Sequence, residues 1–156
     1  MKLSSPAFAD RQPMPIKYAN LGVNGGKNIS VPLNWSEAPA ATKSFALSII
    51  DRHPIARNWV HWLVIDIPPN VISMAEGASK SSMPKGAVEL KNTFGSIGYG
   101  GPQPPPGSGP HDYEITLYAL NVDKLSLTPD IKLPEFTAAL PGKTLASASL
   151  VGTFER

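Results

Sequence analysis

No cysteine occurs anywhere in the 156 residues. Disulfides, thiol nucleophiles and thiolate metal sites are therefore excluded, and the composition suits a reducing compartment. Charge is sparse too: charged residues make up 17% of the chain, where about 25% is usual. The net charge is only +2, and the lysines and arginines are scattered, with no basic run or stripe to grip nucleic acid. No apolar run approaches the roughly 20 residues that a membrane-spanning helix needs. The opening stretch MKLSSPAFADRQPMPIKY has no apolar h-region. No signal peptide and no integral membrane segment are expected, and a cytoplasmic location is. Histidine is rare, at three residues: His53, His61 and His111.

What the chain has in quantity is proline, 17 residues of 156, against a usual share of about 5%. Proline lacks the backbone N–H and breaks helices, so long uninterrupted helices are excluded. At 42% hydrophobic and of this length, residues 1–156 are expected to form one domain with its own core. The sequence is as compatible with a homodimer as with a monomer.

Residues 1–28 read as irregular, with turn chemistry in SSP, DRQPMP and NGGKN. ISVPLNW at 29–35 reads as a short strand that Pro32 confines to a sheet edge. KSFALSIID at 43–51 alternates like a strand, and VHWLVIDI at 60–67 reads as a strand buried on both faces. Residues 71–91 are loop-like. DYEITLYAL at 112–120 and TLASASLVGTF at 144–154 are two further strands. A short helix fits 134–140, PEFTAAL, with proline in its first turn and Pro141-Gly142 stopping it. The fold class is mainly β with a few short helices.

Between two of these strands lies NTFGSIGYGGPQPPPGSGPHDY, residues 92–113, with six glycines and five prolines. Glycine allows close backbone approach and proline fixes φ, so the loop reads as a rigid wall that presents bare N–H groups. Side chains alternate faces along a strand. Asp51 shares parity with Phe45, Leu47 and Ile49; His61 with Leu63, Ile65 and Ile67; His111 and Tyr113 with Ile115 and Leu117. Each apolar face thus ends in an ionisable residue. If 43–51 pairs antiparallel with 60–67, and 112–120 runs in the direction of 60–67, all of them meet at one end. Trp59 is close enough to His61 to line the same mouth. Apolar walls with a few convergent polar groups describe a small-ligand site.

Several segments carry a family resemblance. SPAF at 5–8, PIKY at 15–18, NISVPLNW at 28–35, TKSFAL at 42–47, VHWLVIDIPP at 60–69, the 92–113 loop and LASASLVGTFER at 145–156 occur in a shared order and spacing. Together they resemble the phosphatidylethanolamine-binding protein family, also called Raf kinase inhibitor proteins, and its bacterial and archaeal branch in particular. The resemblance implies an antiparallel β-sandwich with short flanking helices and a pocket for phosphate and related anions. It places Asp51 at the first aspartate of a "D-P-D-x-P" motif, His61 in "HW", and His111 and Tyr113 in "H-R-Y". Gly101, Pro104 and Pro105 match the pocket loop.

Three positions depart from that pattern: DRHP at 51–54 has His53 near the second aspartate's place, Asp112 replaces the arginine of "H-R-Y", and Thr93 replaces an aspartate. A swapped ion pair, His53 against Asp112, is the expectation that follows. A phosphate ester would take donors from His61, His111, Tyr113 and the backbone N–H groups of Gly100 and Gly101. Asp51 would accept one histidine ring proton and fix the tautomer.

The favoured function is a binding or regulatory module for phosphate, phosphorylated small molecules or phospholipid head groups, with a kinase as its protein partner. The alternative is a serine protease inhibitor acting through the loop at 68–91. A metal-dependent or acid–base hydrolase built on Asp51, His61 and His111 ranks below both, because no nucleophile motif or local metal-ligand spacing accompanies them. No cofactor is expected.

Overall fold

The computed structural model of the protein describes all of residues 1–156. In chain order its elements are β1 (Lys2–Ser4), β2 (Gln12–Pro13), β3 (Leu33–Ser36), β4 (Ser44–Asp51), β5 (Trp59–Ile67), β6 (Ser73–Met74), β7 (Val88–Glu89), β8 (His111–Leu120), α1 (Leu133–Ala138) and β9 (Thr144–Phe154). Single 3-10 turns cover Ile16–Tyr18 and Pro54–Ala56.

The strands form two sheets: β1-β3-β6, and β2-β9-β8-β4-β5-β7. All pairings are antiparallel except that of β2 with β9. The larger core cluster fills the space between the sheets. Leu33, Trp35 and Met74 from the small sheet meet Phe45, Leu47, Ile49, Tyr113, Ile115 and Leu117 from the large one. A smaller cluster covers the large sheet's other face, where Phe136 of α1 and Leu140 pack on Ala46, Val60, Leu63 and Ile65. Covered on both sides, β4 is buried at every residue. The architecture is the mainly β, two-sheet fold with little helix that the sequence leads one to expect.

The long strands stand within one residue of their expected bounds. The short ones do not. β1 and β2 lie in the stretch read as irregular, and β6 and β7 in the stretch read as loop; strands of two or three residues carry too little alternation to register. The expected edge strand at 29–35 is instead β3, the central strand of the small sheet. It starts at Leu33, so Pro32 precedes the ladder and removes no donor from it.

Candidate functional site

Antiparallel pairing of β4 with both β5 and β8 makes those two flanking strands parallel in direction. Asp51, last in β4, sits opposite Tyr113 on one side and Trp59 on the other. The start of β5, the start of β8 and the end of β4 thus share one end of the sheet. There a pocket of about 440 Å³ is lined by Asp51, Trp59, His61, Pro104, Pro105, His111 and Tyr113, together with Ile55, Ala56, Phe94 and Gln103. Asp51, His61, His111 and Tyr113 are each at most 3% exposed.

His61 arrives by a route that strand parity does not describe. The register between β4 and β5 slips between Ile49, opposite Trp62, and Ile50, opposite Val60. His61 is the extra residue of this β-bulge. Leu63 and Ile65, which share its parity, pack in the outer cluster, while Trp62 and Val64 pack between the sheets. The bulge re-aims His61 onto the face that carries Asp51 and Tyr113, a common use of bulges near sites.

The hydrogen bonds fix the chemistry of each ring. His111 Nδ1 donates to Asp51 Oδ2 at 2.6 Å, and Asp51 Oδ1 accepts the backbone N–H of His53 at 2.9 Å. His111 Nε2 lies 2.9 Å from Ser108 Oγ. Ser108 Oγ is also 2.7 Å from the Pro105 carbonyl, which can only accept. Ser108 thus bridges the Pro105 carbonyl and His111 Nε2 and holds the outer edge of the ring in place. His61 Nδ1 donates to the Gly100 carbonyl at 2.6 Å. Burial pulls the His61 pKa down to about 4, against the opposing pull of the Gly100 carbonyl and the Asp51 charge. Near neutral pH its ring is therefore uncharged, with the lone pair on Nε2. The Tyr113 hydroxyl is buried with no partner in hydrogen-bond geometry. Its pKa is pushed up, first by burial and then by Asp51, whose carboxylate lies near the hydroxyl but outside hydrogen-bond geometry. Trp59 Nε1 is a second buried polar atom without a partner.

The glycine loop does not offer the N–H groups expected of it. Gly100 N donates to the His61 carbonyl at 2.8 Å and Gly101 N to Asn28 Oδ1 at 2.7 Å. Gly101 does not line the pocket: a Cβ there would stand 2.1 Å from the Tyr18 carbonyl oxygen. Its absence of a side chain lets the loop lie against residues 18–20. Tyr99 Oη donates to the Tyr18 carbonyl at 2.9 Å and completes the anchor. The first half of the loop is thus fastened to the body, and only the half around Gln103, Pro104 and Pro105 walls the pocket.

The swapped ion pair is not formed. Asp112 alternates to the outer face and pairs with Arg11 at 3.9 Å. His53 stacks on His111 with ring centroids 3.9 Å apart, and its Nδ1 accepts the Ile55 N–H at 3.3 Å. The cross-strand ion pair at this end is Arg52 with Glu114, 2.7 Å apart. Thr93 has a backbone role: its Oγ1 accepts the Val60 N–H at 2.9 Å. No group of three His, Asp or Glu side chains is placed to share a metal ion.

Ile55, Ala56, Phe94, Gln103 and Ser108 are the site residues that parity reasoning missed, because all lie in connections where no period applies. Phe94, Gln103 and Ser108 do fall inside the singled-out 92–113 stretch. A larger cleft, about 550 Å³, lies beyond the Pro54–Trp59 connection and includes Arg57, Lys91, Asp130 and Lys132. Its lysines and aspartate are exposed, and Lys91 already pairs with Asp130 at 3.5 Å. It has no buried polar group to spare, so the smaller pocket is the stronger candidate.

Comparison with known proteins fits this fold. A UPF0098 protein of Methanothermobacter thermautotrophicus is 36% identical over 100% of this chain and 99% of its own length. The Mycobacterium tuberculosis protein LppC, whose name calls it a lipoprotein, is 37% identical over 99% of this chain and 72% of its own length. The crystal structure of Escherichia coli YbcL, described as a new member of the mammalian PEBP family, superposes with a TM-score of 0.93 at 29% identity, covering 99% of this chain and 98% of that one. No helix of the present structure is long and apolar enough to cross a membrane. Residues 4–155 match the family described as phosphatidylethanolamine-binding protein, and the chain belongs to that family.

Proposed function

We infer that the protein is a binding or regulatory protein whose pocket takes phosphate-type anions. The observation that carries this reading is the convergence, in one pocket, of the His111–Asp51 pair, His61 and two buried polar groups with no internal partner, the Tyr113 hydroxyl and the Trp59 indole N–H. Unpaired buried donors cost stability, and a ligand oxygen would relieve them. Ile55 and Phe94, both exposed at the rim, leave room for an apolar body attached to the anion. The ligand class is therefore phosphate, a phosphorylated small molecule or a phospholipid head group.

Calorimetry on the purified protein tests the reading. Inorganic phosphate should bind, and His111→Ala should weaken it at least about tenfold, the scale of one charge-assisted hydrogen bond. Binding of zinc with no binding of phosphate overturns it. A kinase partner belongs to the same reading and predicts that free phosphate competes with the kinase. A cytoplasmic location is likewise part of the proposal; recovery from the membrane fraction, as the name of LppC would lead one to look for, overturns it. The protease-inhibitor reading has no matching support. The 68–91 loop is pinned by Glu89, whose carboxylate accepts from Trp62 Nε1 at 2.7 Å and from the Lys80 N–H at 2.8 Å.

A further inference from the structure

At the edge of the pocket the fold brings together three side chains from separate places: the end of β4, the turn at 105–109 and the start of β8. Ser108 Oγ lies 2.9 Å from His111 Nε2, and His111 Nδ1 lies 2.6 Å from Asp51 Oδ2. A hydroxyl, an imidazole and a carboxylate are thus linked through the two nitrogens of one ring. A nucleophile, its general base and the group that orients the base are recognised by this geometry, whatever their order in the chain. No sequence motif announces it, because a folded turn rather than a fixed spacing delivers the serine.

Each member is held in place. Asp51 Oδ1 accepts the His53 N–H at 2.9 Å, which fixes the carboxylate. The His53 ring stacks on His111 with centroids 3.9 Å apart, which fixes the imidazole plane. Asp51 and His111 are buried, whereas Ser108 is only half-buried and is the accessible member. Its turn is tied to the body by the Gly107 N–H, which donates to the Arg156 carbonyl at 2.9 Å. Gly107 and Gly109 flank the serine with φ of 78° and 81°, and a Cβ on either would meet nothing within 4 Å. The space beside Ser108 is therefore open to an incoming molecule. The N–H of Gly109 makes no hydrogen bond within the protein. The residue after the serine supplies an oxyanion donor in α/β-hydrolases.

We propose that Ser108, His111 and Asp51 form a nucleophile–base–carboxylate triad that hydrolyses small carboxylic esters. The proposal goes beyond the binding reading above and does not depend on it. When the ring carries one proton, the Asp51 carboxylate holds it at Nδ1, and Nε2 presents a lone pair to Ser108. The Ser108 proton has two acceptors, Nε2 and the Pro105 carbonyl at 2.7 Å, and rotation about the Cβ–Oγ bond moves it between them. Oγ attacks the ester carbonyl carbon as its proton passes to Nε2, and the Gly109 N–H donates to the resulting oxyanion. The bond to the alcohol oxygen then breaks, and Nε2 returns the proton to that oxygen. Water, deprotonated by Nε2 in the same way, attacks the acyl group. The acyl–Oγ bond breaks, the acid leaves, and the proton goes back to Ser108.

The test is labelling of the intact protein with a fluorophosphonate, which reacts with serine hydroxyls that a base activates, followed by mass spectrometry of its peptides. Turnover of nitrophenyl acetate is measured alongside. An adduct on Ser108 and ester turnover are expected. Ser108→Ala should abolish that adduct and lower turnover at least about a hundredfold. Asp51→Asn should slow labelling of the intact serine by a similar factor, because the ring loses its ionised partner. In the unaltered protein, which keeps its fold, labelling should rise with pH as the imidazole loses its second proton. No adduct on Ser108, equal labelling in the urea-unfolded chain, or turnover that survives Ser108→Ala overturns the proposal. Labelling that ignores both pH and Asp51→Asn also overturns it. None of these outcomes bears on phosphate calorimetry, so the binding reading stands or falls separately.

Discussion

Two cavities flank the Pro54–Trp59 connection, and they are built from opposite materials. The larger cleft carries the cations, Arg57, Lys91 and Lys132, at the surface and partly paired with Asp130. The smaller pocket has no lysine or arginine, yet four buried polar or ionisable residues end there. Counting charges would favour the cleft as an anion site. Counting unsatisfied buried groups favours the pocket, and the second count is the more informative. Exposed charges are hydrated and screened by salt, so each contributes little. A buried hydroxyl or indole N–H without a partner is costly and therefore uncommon, and a functional role is one explanation for it.

The largest expected effect that would break this contrast is at Asp51. Asp51→Ala leaves His111 Nδ1 and the His53 N–H buried without their acceptor, and each unpaired buried donor costs about 1–3 kcal/mol. Urea unfolding of the variant should show that loss, and a change below about 1 kcal/mol would mean the pair is not the pocket's organising contact.

Next in size is the pH response of His61. Its folded pKa, about 4, lies below the unfolded value near 6.5. The unfolded chain therefore takes up the proton first. The stabilisation is complete above about pH 6.5, declines as pH falls toward 4, and changes no further below that. The difference amounts to about 3 kcal/mol. Unfolding free energies measured across this window should fall in the native protein, and the part owed to this residue should vanish in His61→Asn.

Tyr113→Phe sharpens the contrast from the ligand side. The hydroxyl has no internal partner, so stability should stay within about 0.5 kcal/mol, while phosphate affinity should drop by about tenfold, the equivalent of one hydrogen bond. A stability loss without an affinity loss would make Tyr113 an ordinary core residue. The smallest effect belongs to the cleft. Lys132→Ala should move stability by no more than about 0.5 kcal/mol and leave phosphate binding by the pocket unchanged; a large loss of affinity would move the anion site across the connection.

The legible and illegible parts of the site divide along physical lines. The meeting of Asp51, His111 and Tyr113 could be read because β4 and β8 pair without a slip at that end, from Asp51 opposite Tyr113 to Phe45 opposite Ala119. Strand parity sends His61 to the face of Leu63 and Ile65, and only the one-residue bulge, which leaves no periodic trace, turns it into the pocket. The glycine content of the loop leads one to expect free N–H groups at Gly100 and Gly101. They are taken by the His61 carbonyl and by Asn28, and no local rule reveals a partner 73 positions away. The motif suggests a His53–Asp112 pair, but strand alternation sends Asp112 outward while His53 folds over His111.

By itself the sequence determined the long strands, the mainly β class and the end of the sheet where the polar residues gather. Alternation and proline content are local properties that act on every few residues alike. Only the tertiary structure decided which nitrogen of each histidine holds a proton, which glycine N–H groups are already bound, and that the pocket lacks a lysine or arginine. Those outcomes depend on partners brought together by sheet pairing and loop packing, and burial sets how strongly each of them counts.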